Sequence, residues 1–343
     1  MNKLRIAAFA VAVALALTGC QGPGISGGES QASGNFEGET IDLVVPFETG
    51  GGYDQYARQL APALEKELGA TVNVINKPGA GGLLAINELM RAKPDGTTIE
   101  ILNMTGVVGS ALAEAEGVEF DPAKFSYIGR LASEPDVVIT AADGDIKSYE
   151  DLKAAADDGG VKFGATGPGS NEYVDPVVLE TGFGIKNEIV TGFNGSGAAA
   201  LSLVQGNFDA YSRSLSSQQP TIDAGDGRPI LVLGRQPVKA FPEVPTLIDV
   251  ADDAKSKKLA EFHADVLESG RTLAAPPNMD ENRLAELRKA FDAVVQNKDY
   301  IAAAEKAGRP IAYTAGVDVQ KSVEGLMDAP QDYINIIKKA YEG

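Results

Sequence analysis

Four runs of this chain carry residue types suited to holding a small anion. They are Glu48-Thr49-Gly50-Gly51-Gly52, Asn76-Lys77-Pro78-Gly79-Ala80-Gly81-Gly82, Thr166-Gly167-Pro168-Gly169-Ser170-Asn171 and Gly192-Phe193-Asn194-Gly195-Ser196-Gly197. Glycine lets main-chain N–H groups come close to a ligand. Where such a run leaves a strand and opens a helix, unpaired N–H groups and the positive end of the helix dipole converge on one point. Four of them imply a crevice of backbone donors suited to a carboxylate or another compact anion. Many glycine runs only turn the chain, so spacing leaves both readings open.

A second chemistry is acylation of a thiol. Cys20, the only cysteine, closes Leu17-Thr18-Gly19-Cys20 after an apolar run from Ile6 to Leu17, with Lys3 and Arg5 ahead of it. This pattern predicts a bacterial lipoprotein leader over residues 1–19, with Cys20 lipidated and becoming the mature N-terminus. The run is shorter than the about 20 apolar residues that a membrane-crossing helix needs. Residues 20–38 are rich in Gly, Ser, Gln and Glu and read as a flexible tether. Acyl chains on Cys20, at about 0.8 kcal/mol per buried methylene, then hold the body to a membrane outside the cytoplasm.

Other chemistries are excluded by what is missing. His263 is the only histidine, so no His/Cys metal cluster and no Cys–His pair can form. A Gly-x-Ser-x-Gly elbow, a phosphate-loop Gly-Lys-Ser/Thr and a His-Glu-x-x-His are all lacking. His263 reads as a satisfied or surface histidine, and the acidic pairs Asp143/Asp145 and Asp157/Asp158 as solvated turns. The formal charge is −18, and loss of Lys3 and Arg5 with the leader makes it more negative. Such a surface argues against nucleic acid, whose phosphates need Lys and Arg.

The elements that must position the glycine runs alternate in type. Short apolar strands are predicted at Ile41–Phe47, Thr71–Ile75, Thr97–Leu102, Lys162–Ala165, Glu188–Thr191 and Phe208–Ser212. Helical patterns follow them: one opened by Asp54 as N-cap and ended at Gly69, with Pro62 kinking or dividing it, and others at Leu83–Arg91, to about Glu180 and to Gln205. Two more helices are predicted at Asp280–Gln296 and from about Val317 to Lys339. This alternation predicts an α/β layered fold, whose ligand crevice lies beyond the carboxyl ends of the strands.

In context the runs carry a resemblance. Val44-Val45-Pro46-Phe47-Glu48-Thr49-Gly50-Gly51-Gly52-Tyr53-Asp54 with Ala57-Arg58, then Asn76 to Gly82, then Lys93-Pro94-Asp95-Gly96-Thr97 resemble the extracytoplasmic solute receptors of tripartite tricarboxylate transporters, the Bug receptors. Phe163-Gly164-Ala165-Thr166-Gly167-Pro168-Gly169-Ser170, Gly206-Asn207-Phe208-Asp209 and Pro242-Glu243-Val244-Pro245-Thr246 are similar to further stretches of that family, in order over residues 40–343.

The resemblance implies a two-domain, Venus-flytrap periplasmic-binding fold, type II-like, that closes on ligand. The implied domains are 39–138 plus 236–343 and 139–235, with crossings near Val137–Ala141 and Leu233–Gln236. It implies no catalysis and no cofactor. The implied partners are a small organic carboxylate and the large and small membrane subunits of a transporter, with the receptor acting as a monomer. Carried over, the ligand contacts are Phe47, Thr49, Gly50, Gly51, Gly52, Tyr53 and Asp54 in the first loop. In the second they are Thr166, Gly167, Gly169, Ser170, Asn171 and Tyr173, and in a third Gly195, Ser196, Gly197 and Ala198.

Arg213 stands where many members have an acidic residue. Pointing into the cleft, it would take a carboxylate bidentately and favour a di- or tricarboxylate; its other readings are a bridge to an acid or simple exposure. Phe47, Tyr53, Tyr173, Phe193 and Tyr211 keep aromatic acids as an alternative, and amino acids stand beside citrate-like tricarboxylates and C4 dicarboxylates among the candidates. A ligand sensor with a signalling partner, and a secreted α/β hydrolase relying on His263 as base, are the remaining readings.

Overall fold

The computed structural model describes residues 35–193 and 195–341; the leader, Cys20 and most of the expected tether lie outside the described residues. The elements begin with β1 (Thr40–Val45), α1 (Gly52–Leu68), β2 (Thr71–Asn76), α2 (Leu83–Arg91), β3 (Thr98–Asn103), α3 (Met104–Leu112) and β4 (Ser126–Ala132). Next come β5 (Asp136–Ala141), α4 (Tyr149–Asp158), β6 (Val161–Gly164), α5 (Asn171–Phe183), β7 (Asn187–Val190), α6 (Ser196–Val204), β8 (Ala210–Ser214), α7 (Leu215–Asp223) and β9 (Gly227–Leu233). The chain ends with α8 (Ala254–Glu268), β10 (Arg271–Ala275), α9 (Glu281–Val295), α10 (Lys298–Lys306), β11 (Thr314–Ala315), α11 (Gly316–Met327) and α12 (Gln331–Tyr341).

Two mixed sheets result. One has the order β11-β4-β10-β3-β1-β2, with β1 parallel to both β2 and β3; the other has the order β7-β6-β8-β5-β9, with β6 parallel to both β7 and β8. The loops after β1, β2, β6 and β7 are therefore the four glycine runs, two from each sheet. The chain passes from the first sheet to the second between Ala132 and Asp136, so Val137–Ala141 is strand β5 rather than a crossing. Beyond Leu233 it stays beside the second sheet, where Val232 pairs with Thr246, and it rejoins the first at β10.

Apolar spacing explains which faces are buried. In α1 the buried Tyr53, Tyr56, Ala57, Leu60, Leu64 and Leu68 recur at three and four residues and pack on the first sheet with Ile41, Leu43, Leu287 and Phe291. Pro62 lies on the exposed side, and α1 continues through it as one helix. Its start differs from expectation. Gly51 is the N-cap, and Asp54 sits in the first turn, where its Oδ2 accepts from the Gly50 N–H at 2.8 Å and from Arg58 Nε at 2.9 Å.

Two other expectations are corrected. The helix predicted from Val317 to Lys339 is two helices, because Pro330 disfavours helical backbone at the residue before it and lacks an N–H. The last residues of the expected tether belong to the body. Phe36 is fully buried beneath Arg283, whose Cζ lies 3.9 Å from the ring centroid, and the Gly38 N–H donates to the Gly69 carbonyl at 2.8 Å.

Candidate functional site

The four glycine loops converge. Pro46, Phe47 and Glu48 after β1, Pro78, Gly79, Ala80 and Gly81 after β2, Thr166 after β6, and Gly192 and Phe193 after β7 enclose a cavity of about 260 Å³. Both sheets contribute, as a clamp requires. The loops also touch. The Gly169 N–H donates to the Ala80 carbonyl at 3.2 Å, and a Cβ on Gly81 would lie 2.5 Å from the Gly167 carbonyl oxygen. Larger recesses of about 560 and 400 Å³ lie beside the crossing at Pro135 and between α8 and α12, where none of these loops reaches.

Of the expected contacts, Phe47 and Thr166 line this cavity. Gly167 and Gly169 form the backbone contact with Ala80 and Gly81, and Gly195 packs on Glu48, where an added Cβ would lie 3.3 Å from the Glu48 Cβ. The others sit elsewhere. Thr49 is exposed and bonds Asn76 at 3.1 Å, Gly50 and Gly51 form the turn into α1, and Gly52 packs against Ser217. Tyr53 is buried between Phe47 and Arg271, and the Tyr173 ring packs against Tyr341 at a tilt of 54°, centroids 5.1 Å apart. Ser170 caps its own loop through Gly167, Asn171 bonds Asp136 and Asn103, and Gly197 and Ala198 are exposed on α6. Ser196 begins α6. Phe193, expected only as a wall for an aromatic acid, also lines the cavity; Glu48, Pro78, Gly79, Ala80, Gly81 and Gly192 were not among the expected contacts, although their glycine runs had marked the loops.

Arg213 does not line the cavity. It is 1% exposed, pairs with the wholly buried Glu172, and lies over the Phe47 ring with Cζ 5.1 Å from its centroid. Burial lowers its pKa to about 10, which leaves it charged at neutral pH. The other Glu172 oxygen accepts from the Thr166 N–H at 2.9 Å and from its hydroxyl at 2.5 Å. Arg213 therefore acts on the cavity through Glu172 and Thr166 and through the Phe47 ring, as a positioning residue. Arg271 is likewise occupied: it pairs with Glu134, bonds Ser214 at 2.7 Å, and lies over Tyr53 and Tyr56.

A buried polar cluster ties the second sheet to α5, α8 and α12. Asp136 and Asp175 are both buried, and the charge on Asp175 raises Asp136 beyond what burial alone does. Asp175 accepts from the Ser212 hydroxyl at 2.6 Å and lies 3.0 Å from His263 Nε2, while His263 Nδ1 is 3.1 Å from the Tyr333 hydroxyl. His263 is thus a satisfied core residue. Burial pushes Asp175 up to about 7 and Asp136 well above the carboxylate range, and pulls His263 down to about 4. Glu100 on β3 is raised as well, because it is fully buried and neither oxygen has a described hydrogen-bond partner.

These shifts have opposite consequences. A carboxyl raised above its unfolded value of about 4 contributes stability that is full below that value and is lost as pH rises through the folded pKa. His263 contributes stability that is full above about 6.5 and is lost as pH falls toward 4. Asp175 and His263 oppose each other over that lower window, and Asp136 and Glu100 add to the carboxyl side. The urea midpoint is expected to fall between about pH 5.5 and about pH 8, and Glu100→Gln to lessen that fall. A midpoint that climbs over this range would contradict the assignment.

A two-sheet clamp whose facing loops close on a small cavity defines a solute-binding receptor of the periplasmic-binding class. Residues 56–338 match the model of the tripartite tricarboxylate transporter family receptor, and the chain belongs to that family. BugT of Bordetella pertussis is 25% identical over 321 residues, covering 92% of each chain. MatC of Rhodopseudomonas palustris with bound malate superposes with a TM-score of 0.74 at 22% identity, over 87% of this chain and 99% of that one. A Rhodopseudomonas palustris protein with adipate gives 0.71 at 20% identity, over 89% and 97%. These structural likenesses concern the two-domain fold. The family is one of extracytoplasmic solute receptors rather than enzymes, and no helix among the described residues is long and apolar enough to cross a membrane.

Proposed function

We propose that this receptor captures a small organic carboxylate in the cleft between its sheets and presents it to the large and small membrane subunits of a tripartite transporter. Lipid on Cys20 would hold it to the outside of the membrane, with the residues before Asn35 as tether. The observation that carries the reading is the convergence of four glycine loops on one small cavity. No described group accepts from the N–H of Gly79, Ala80 or Gly81, which leaves these amides for an anionic ligand. MatC and the adipate-bound neighbour are carboxylate complexes of the same fold, which supports the ligand class. The preference for two or more carboxylates rested on Arg213, and its pairing with Glu172 removes that basis.

Thermal unfolding against a panel of carboxylates tests the reading, with the protein first freed of ligand by unfolding and refolding. A cognate solute at about 100 times its Kd should add about 2.7 kcal/mol of stability. A melting temperature unmoved by every carboxylate would refute it.

A further inference from the structure

We infer that the solute carries a positively charged group beside its carboxylate, making it a small zwitterion of the amino-acid or betaine kind. This rests on the reading of the cleft as the ligand site.

Glu48 carries the one ionisable side chain among the described residues that line the cavity. Its carboxylate enters no hydrogen bond or ion pair among the described residues. The nearby cations are committed elsewhere: Arg213 to Glu172, Arg271 to Glu134 and Arg58 to Asp54. Phe193 also lines the cavity, and an aromatic ring attracts a cation and offers nothing to an anion, whereas the Phe47 ring already carries Arg213. The unspent amides of Gly79, Ala80 and Gly81 favour the opposite charge.

One cavity thus presents a negative and aromatic side and a side of N–H donors. A dicarboxylate would set a second negative charge against Glu48 in a partly desolvated space, where like charges are costly. A carboxylate with an ammonium or quaternary nitrogen satisfies both sides at once. The cavity, about 260 Å³, limits the solute to a small molecule.

The experiment is thermal unfolding of ligand-freed protein with matched compounds: alanine, γ-aminobutyrate and glycine betaine against propionate, butyrate, succinate and malate. At least one nitrogen-bearing compound is expected to bind tenfold or more tightly than its partner without nitrogen. Glu48→Gln should reduce that ratio at least tenfold while leaving the urea midpoint of the ligand-free protein unchanged. Stronger binding of malate or succinate than of any zwitterion, or a ratio untouched by Glu48→Gln, overturns the inference and leaves the receptor reading standing. Silence across both sets overturns the inference, while the receptor reading falls only with silence across the wider carboxylate panel.

Discussion

Gly81→Val is expected to weaken ligand binding about 100-fold or more while leaving the secondary structure of the protein intact. Gly81 has φ of 69°, in the left-handed region, and a Cβ there would lie 2.5 Å from the Gly167 carbonyl oxygen and 2.7 Å from the Gly169 nitrogen. Both obstacles are backbone of the facing loop, so no rotamer change relieves them. A β-branched side chain at positive φ costs about 1–3 kcal/mol, and forced overpacking about as much again. Only strain that the ligand-free protein relieves by separating the two loops lowers affinity, and at about 1.4 kcal/mol per factor of ten, about 2.8 kcal/mol of it gives the 100-fold loss. Gly50→Ala is the control. It also carries positive φ, 91°, but nothing lies within 4 Å of the added Cβ. That variant should lose some stability and keep its affinity. Titration calorimetry with the solute found in the thermal screen, beside circular dichroism, checks both; equal affinities in the two variants would show that the contact between the loops is not part of the bound state.

Arg213→Ala is expected to lower stability by about 3–5 kcal/mol in the absence of any ligand, because it strands a buried carboxylate. Glu172 is wholly buried, and its Oε1 takes both the Arg213 guanidinium and the Tyr211 hydroxyl at 2.8 Å. Removing the cation leaves Glu172 charged and uncompensated, or forces it to take up a proton. Either outcome loosens Thr166, whose N–H and hydroxyl both rest on the same carboxylate. Affinity should then drop as a consequence of loop disorder, for mono- and dicarboxylates alike. The double variant Arg213→Met with Glu172→Gln should recover part of the stability, since a neutral amide leaves no uncompensated buried charge and its oxygen can still accept from Thr166. Urea denaturation of the three variants checks this. A wild-type midpoint in Arg213→Ala with selective loss of dicarboxylate binding would instead restore Arg213 as a ligand contact.

Some positions were legible in advance for local reasons. A strand that ends in a glycine run and continues into an apolar 3.6-residue pattern shows itself within about 20 residues, and each of the four loops is placed that way. The boundary errors also have local causes. Asp54 lies close enough to the start of α1 to pass for its N-cap, yet its carboxylate reaches back to Gly50 from inside the first turn. Pro330 breaks a continuous apolar pattern that by itself runs on to the C-terminal helix. Phe36 sits in a polar, glycine-rich stretch, and only the contact with Arg283, far along the chain, shows that it is core.

By itself the sequence determined the alternation of strand and helix, the four glycine loops and the family, since each is written in short-range pattern or in the order of motifs. Tertiary structure alone decided which charges line the cavity. Arg213 and Glu172 stand 41 residues apart, and their pairing follows from how β8 and α5 pack within the second half. That pairing withdraws the arginine from the cleft and leaves Glu48 as its charged side chain. A buried charge is held by whichever partner the packing brings within reach, and no local pattern names that partner.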